Sequence, residues 1–332
     1  MHDERVQRQS TKLHGHRLAI DGNQGHSLSV MATNYTDDLR LAHVLADDAD
    51  SLTMDRFKSS DLHVVNKPDY TPVTDADQSV EEGIRRTLSR ARPRDAVLGE
   101  EHGSSGFSQR RWVVDPIDGT KNFVRGVPVW ATLIALMVED EVVVGLVSAP
   151  QLNRRWWAAK DSGAWNGRSI LRATECRVSD VSRLEEASFS YSSLAGWEER
   201  DRLEDVLSLS RRCWRTRAYG DFWSYMLVAE GAVDVAAEPE LQIYDMAALD
   251  VIVREAGGMF TSLDGRPGPL GGNALASNGR LHDQVLAFLG SLPDDEEDPD
   301  DIRRPAGSLH DLSARRRIQP EEQSAGPGAD LD

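Results

Sequence analysis

Cysteine is nearly missing from this 332-residue chain: only Cys176 and Cys213 occur, and neither stands in a CxxC or Cys/His spacing. That argues against a disulfide framework and a thiolate zinc site, and fits a reducing cytoplasm. Long apolar runs are missing too. No stretch approaches the roughly 18 to 20 residues a membrane helix needs, and the first thirty residues are polar and His-rich where a signal peptide would carry an apolar core. Basic residues are in deficit, 38 against 55 acids for a formal charge of −17. A general affinity for nucleic acid or anionic membrane needs the opposite balance.

The length allows one large α/β domain or two packed subdomains. Residues 1–30 lack an amphipathic period and are expected to be disordered, with order beginning near Met31, itself a candidate initiator. From Pro293 to Asp301 the chain is almost entirely acidic and then becomes rich in Arg, Pro, Gly and Ser, so 291–332 reads as a disordered acidic tail. Between these ends, Thr36-Asp37-Asp38 offers an N-cap followed by acids, and Leu41, Val44, Leu45, Ala49 and Leu52 carry a helical period through Phe57. A second helix fits Val80, Ile84 and Leu88 and ends before Pro93. Val97-Leu98 and Trp112-Val113-Val114 read as strands, and the runs Ala131 to Val138 and Val142 to Ser148 as an antiparallel hairpin, with Trp156 to Ala159 adding a strand.

From about Glu185, strand and helix alternate. Strands are expected at Ala187 to Tyr191, toward Gly220, at Val233 to Ala237 and at Met259 to Leu263. Helices are expected near Glu198 to Ser210, from Asp221 to Glu230 and from Asp245 to Ala256, the last stopped by Gly257-Gly258. The pattern indicates an α/β sandwich of two subdomains, 31–184 and 185–290.

The chemistry concentrates in Trp112-Val-Val-Asp115-Pro-Ile-Asp118-Gly-Thr120-Lys-Asn-Phe123. An apolar strand ending in two carboxylates across a proline turn can aim both at one point. Like charges so close raise each other's pKa, and a divalent cation with hard oxygen ligands is the usual compensation. Gly119-Thr120 lies where a helix can begin, and its backbone donors and hydroxyl suit a phosphate oxygen. Taken alone, the same residues also describe a strand-ending turn. Asp77 in Thr74-Asp75-Ala76-Asp77, Glu100 in Gly99-Glu100-Glu101, and Asp245 after Leu241 to Tyr244 have dull readings as well: a helix cap, a surface acid and another cap.

Together, Thr-Asp-Ala-Asp, Gly-Glu-Glu, the long aspartate motif, and Tyr-Asp-Met-Ala-Ala-Leu followed by Arg-Glu-Ala-Gly-Gly resemble the inositol monophosphatase-like family in order and spacing, from about Thr36 to Gly290. The resemblance implies a layered αβαβα sandwich and a phosphoric monoester hydrolase acting on a small phosphorylated metabolite, with two or three Mg2+ ions and a homodimeric assembly. It implies that Glu100, Asp115 and the carbonyl of Ile117 bind one ion, Asp115, Asp118 and Asp245 a second, and Asp77 a weaker third. Thr120, with Asp77 or Glu100, would orient and deprotonate the attacking water. Lys67, otherwise a solvated loop lysine, would lie near the phosphate, which Gly119 and Thr120 would seat.

The leaving group must be read from Gly220-Asp221-Phe222-Trp223-Ser224-Tyr225 and Ala237-Glu238-Pro239-Glu240. Inositol-type members have a small or neutral residue matching Asp221. Two acids, Asp221 and Glu238, suit an amine or imidazolium better than a polyol. These segments are similar to the histidinol-phosphate phosphatases of the family, although Asp221 also reads as the N-cap of its helix. Inositol-1-phosphate phosphatase, or a broader small-molecule monophosphatase, would share every metal ligand. Bisphosphate or nucleotide substrates would want more basic residues, and a calcium-stabilised binding protein would leave Thr120 and Asp77 without a role.

Overall fold

The computed structural model describes residues 35–67 and 71–290. The expectations for residues 1–30, for Met31 and for the acidic tail 291–332 lie outside them. Eight helices are described: α1 (Thr36–Arg56), α2 (Asp75–Ala91), α3 (Thr120–Arg125), α4 (Leu194–Glu199), α5 (Leu203–Arg212), α6 (Asp221–Ala229), α7 (Ile243–Glu255) and α8 (His282–Leu289). None of the described helices is long and apolar enough to cross a membrane.

A short antiparallel ribbon joins β1 (Val64–Asn66) to β2 (Pro72–Thr74). The large sheet contains β3 (Ala96–Gly99), β4 (Gly103–Ser105), β5 (Arg110–Asp118), β6 (Ala131–Val138), β7 (Glu141–Ala149), β8 (Arg154–Ala159), β9 (Ala164–Gly167) and β10 (Ala173–Glu175). Their spatial order is β10-β9-β8-β7-β6-β5-β3-β4. A second sheet, in the order β12-β11-β13-β15-β14, contains β11 (Ser188–Ser190), β12 (Arg215–Thr216), β13 (Val235–Glu238), β14 (Met259–Thr261) and β15 (Ala274–Ser277).

Alternation along the strands makes the layers. In β5 and β6, Trp112, Val114, Ile134 and Leu136 face α1 and α2, while Val113, Leu133, Ala135 and Met137 face α6 and α7. Helices α6 and α7 are therefore sandwiched, since Ala236, Phe260 and Ala276 of the second sheet close the same core. The far face of that sheet, with Phe189, Val235 and Leu275, is covered by Trp197, Val206 and Leu209 from α4 and α5 and by Val285 and Leu289 of α8. The result is the expected αβαβα sandwich.

Several local expectations are corrected. Thr36 is the first helical residue of α1 rather than its cap, because Tyr35 holds the cap position without a side-chain bond. The single helix expected near 198–210 is two, α4 and α5. The break falls where Asp201 takes φ +56 and buried Arg202 turns inward to donate to the carbonyl of Leu289 at 2.6 Å. Strand β5 does not stop at Val114 but runs through Asp118. Strands β1, β2, β4, β9, β10 and β15 and helix α8 match no expectation above, being short segments without a clear period.

Helix α7 reaches the large sheet closely only because β7 carries Gly145 beneath it. A Cβ there would stand 2.5 Å from Val251 Cγ1 and 2.6 Å from the carbonyl oxygen of Ala248. Gly145→Ala is expected to destabilise the fold by about 1–3 kcal/mol in urea denaturation, the usual cost of overpacking. Unchanged stability would contradict this close docking.

Candidate active site

Register brings the acids together. Strands β3 and β5 are parallel, with Gly99 beside Val114, so the following residues, Glu100 and Asp115, leave the sheet as neighbours. Asp115 still pairs across β6 with Leu133, then the register slips and resumes with Asp118 beside Ala131. Pro116 occupies this bulge, after pairing with β3 has ended at Val114, so its missing N–H deprives the ladder of nothing. The bulge is pinned twice: Thr132 Oγ1 donates to the Pro116 carbonyl at 2.8 Å, and the Ile117 N–H donates to Asp115 Oδ1 at 3.0 Å. Asp118 is thereby re-aimed toward the second half of the chain.

There it caps a helix. Asp118 Oδ2 accepts the Phe222 N–H at the start of α6 at 2.8 Å. This corrects the reading of Asp221 as the cap: Gly220 holds the cap position without a side-chain bond, and Asp221 adopts φ +47 with its carboxylate turned elsewhere. Asp221 Oδ2 accepts from Asn122 Nδ2 at 3.0 Å, the same amide that donates to the Val129 carbonyl at 2.9 Å. Asp245 does not open α7 as its cap: the helix begins at Ile243 with Gln242 in the cap position, and Asp245, in the first turn, reaches back to accept the Gln242 N–H at 2.8 Å. Ligand oxygens of Asp115, Asp118 and Asp245 lie within 4.8 Å of one another.

Asp77 caps a helix directly behind Thr120. Its Oδ2 accepts from the Thr74 N–H at 2.8 Å and from Thr74 Oγ1 at 2.6 Å, closing a capping box on α2. Its Oδ1 lies 3.4 Å from Thr120 Oγ1, which also stands 3.0 Å from the Ile117 carbonyl. Lys67 Nζ bridges Glu100 Oε1 at 2.7 Å and Glu101 Oε1 at 2.8 Å. These groups border one cleft of about 880 Å³, whose lining includes Lys67, Glu100, Asp118, Gly119, Thr120, Asp221, Glu238 and Asp245, with Asp77 and Asp115 buried behind it.

Packing so many carboxylates together has an electrostatic cost. Burial, then the charges of Glu100, Asp118 and Asp245, holds the Asp115 carboxyl well above the usual range. Burial, then Asp221 and Asp245, does the same to Asp118. Burial pushes Asp77 up to about 7 against the hydrogen bonds from Thr74, with Glu101 and Glu100 adding to it. Asp245 is likewise pushed up to about 7 by burial, against its bond from Gln242. On the opposite wall, burial and then Asp221 push Glu238 up to about 8. Among the described residues, no basic side chain forms an ion pair with Asp115, Asp118 or Asp245. Hard oxygens facing one point without a protein cation form a donor set that fits a divalent metal.

Sequence reasoning passed over three participants. Asn122 lay inside the aspartate motif, but nothing in its spacing announced that it would hold Asp221. Glu101 follows Glu100 and shares its lysine. Tyr225 stands one helical turn after Asp221, a spacing that puts both on one face of α6, and its buried hydroxyl lies among the cleft walls against the Glu238 carboxylate.

An acid whose folded pKa is raised binds its proton more tightly in the folded chain than in the unfolded one. Stability is then full below the unfolded value, about 4, and falls as pH rises toward the folded value. In chelator, the Tm is therefore expected to fall between about pH 5 and about pH 8, the window set by Asp77, Asp245 and Glu238, and magnesium is expected to raise Tm more at the upper end than at the lower. Equal magnesium shifts at both ends, by differential scanning fluorimetry, would contradict this electrostatic account.

Residues 35–291 match the family model described as the inositol monophosphatase family. A histidinol-phosphatase of Streptomyces coelicolor is 66% identical over 260 residues, covering 77% of this chain and 98% of that protein. A histidinol-phosphatase of Mycobacterium tuberculosis is 58% identical over 256 residues, again covering 77% and 98%. Among solved structures, an inositol monophosphatase from Zymomonas mobilis superposes with a TM-score of 0.69 at 31% identity, over 78% of this chain and 100% of that one. With the fold, the acid cluster and these likenesses in agreement, the chain belongs to the inositol monophosphatase family.

Proposed function

We propose that this chain is a histidinol-phosphatase, hydrolysing L-histidinol phosphate to L-histidinol and phosphate in histidine biosynthesis. The observation that carries the substrate is the pair Asp221 and Glu238, two carboxylates on the wall of the cleft whose floor is the acid cluster. A neutral polyol gives neither acid a counter-charge, whereas the ammonium and imidazolium of histidinol answer both. The two relatives with the highest identities reported above carry the same activity in their names.

Magnesium is the cation this donor set suits. Glu100, Asp115 and the Ile117 carbonyl would hold one ion, Asp115, Asp118 and Asp245 a second, and Asp77 a third. Such ions acidify bound water and neutralise charge on phosphoryl oxygens. The chain's own groups do the rest. Thr120 Oγ1, between the Ile117 carbonyl and Asp77 Oδ1, orients the attacking water and passes a proton to Asp77. Backbone N–H groups at Gly119 and Thr120 seat phosphate oxygens, and the Lys67 ammonium adds positive charge at the Glu100 side. Asp221, held by Asn122, fixes the cationic leaving group, so the phosphorus is presented to water in one orientation. Water attacks phosphorus directly, with no phosphoenzyme. The setting is a reducing cytoplasm and the assembly a homodimer, as composition and family resemblance suggest.

The two halves of this proposal separate by mutation. Asp118→Asn is expected to keep the fold, since an amide oxygen can still cap α6, yet reduce turnover by orders of magnitude at fixed magnesium. Asp221→Asn is expected to lower kcat/KM for histidinol phosphate by about tenfold to a hundredfold, the value of one charged hydrogen bond, with little effect on slow inositol-1-phosphate hydrolysis. An equal loss on both substrates would reject Asp221 as the specificity group. Wild-type turnover of Asp118→Asn would reject the metal assignment.

A further inference from the structure

One buried carboxylate near the site has no part in the chemistry above. Glu81, in the second turn of α2, is completely buried, and its two oxygens are spent on the turn between β3 and β4. Oε2 accepts the Glu101 N–H at 2.7 Å and Oε1 accepts the His102 N–H at 3.2 Å. Oε1 also accepts from Arg85 Nε at 2.7 Å, one helical turn further on. The guanidinium of Arg85 continues to the other side of the same turn, donating to Ser105 Oγ at 2.8 Å and to the Gly103 carbonyl. The turn so gripped is the one that carries Glu100.

The fit leaves no slack. A Cβ on Gly99 would lie 2.1 Å from Glu81 Oε1 and 2.3 Å from its Cδ, so this carboxylate occupies the space directly against the end of β3. The placement is also costly on its face, because another acid has been set behind a cluster of acids. Arg85 offsets the charge, but an uncharged residue would need no offset. A carboxylate is used because it offers two acceptor oxygens and no donor, which is what two parallel backbone N–H groups and a guanidinium N–H require. Glutamine would turn an NH2 toward one of these donors.

Asp77 and Glu81 stand four residues apart, on one face of α2. The helix therefore reaches Thr120 through Asp77 and holds the Glu100 turn through Glu81. Without that hold, repulsion from Asp115 and Asp77 would push the Glu100 turn outward, toward solvent and Lys67. We propose that Glu81, braced by Arg85, is a positioning residue that fixes the β3–β4 turn and so sets where the Glu100 carboxylate stands relative to Asp115. This rests on the reading of Glu100 as a metal ligand.

The test compares the full-length wild type with Glu81→Gln, Glu81→Asp and Glu100→Gln. In chelator, amide hydrogen exchange at residues 100–103 is expected to quicken about tenfold or more in Glu81→Gln, with the α1 and β6 cores unchanged, and to be partly restored in Glu81→Asp. The magnesium concentration for half-maximal activity is expected to rise about tenfold in Glu81→Gln, as when groups behind metal ligands are removed, with kcat at saturating magnesium falling less. Unchanged exchange in the turn, or an unchanged magnesium requirement beside a raised one in Glu100→Gln, overturns the positioning role alone. An unchanged requirement in Glu100→Gln overturns the ligand reading of Glu100 and this inference with it.

Discussion

Repulsion among buried carboxylates is the constraint from which the rest of the structure follows. Asp115, Asp118 and Asp245 bring oxygens within 4.8 Å of one another, and among the described residues no basic side chain pairs with any of the three, Lys67 reaching only Glu100 and Glu101 beside them. The fold holds each acid by a donor on the side away from the cluster: the Ile117 N–H for Asp115, the Phe222 N–H for Asp118, the Gln242 N–H for Asp245 and Thr74 for Asp77. Three of these four donors belong to helix starts, where backbone N–H groups are free and the helix dipole favours negative charge. The capping bonds that make the helices possible are the same bonds that keep the acids aimed.

This explains why the site lies between the two sheets. Asp118 leaves the large sheet through the β5 bulge, yet its hydrogen bond is made to α6, the helix that carries Asp221 and Tyr225. One side chain thus ties the floor of the cleft to the wall formed by α6. Asn122 ties them a second time, since it follows the bulge directly and holds Asp221. Floor and wall are consequently set relative to each other by two hydrogen bonds in addition to the core that α6 shares with the large sheet, which favours presenting one leaving group in a single orientation.

Much of this was legible in the sequence, for identifiable reasons. The carboxylates were readable because each sits at a strand end or helix start, places that leave local signals such as Val-Val-Asp-Pro and Thr-Asp-Ala-Asp. The alternation of strand and helix followed from periods that tertiary packing did not override, whereas the five-layer order came from the family resemblance. Tertiary bonds escaped. Pro116 read as the end of a strand, although a bulge let the strand continue around it. Asp221 read as a cap because nothing local shows that Asp118, about a hundred residues earlier, takes that role. Glu81 carried no local signal, since its partners lie beyond a strand. The break between α4 and α5 depends on Arg202 reaching the end of α8, which no window of local sequence contains.

The account stands most directly on where a divalent cation binds. Crystals of the full-length protein soaked in manganese, with anomalous scattering recorded at its absorption edge, are expected to show a peak shared by Asp115, Asp118 and Asp245, and a second beside Glu100 and the Ile117 carbonyl. Manganese bound only elsewhere on the surface, with those three aspartates uncoordinated at saturating metal, would contradict it.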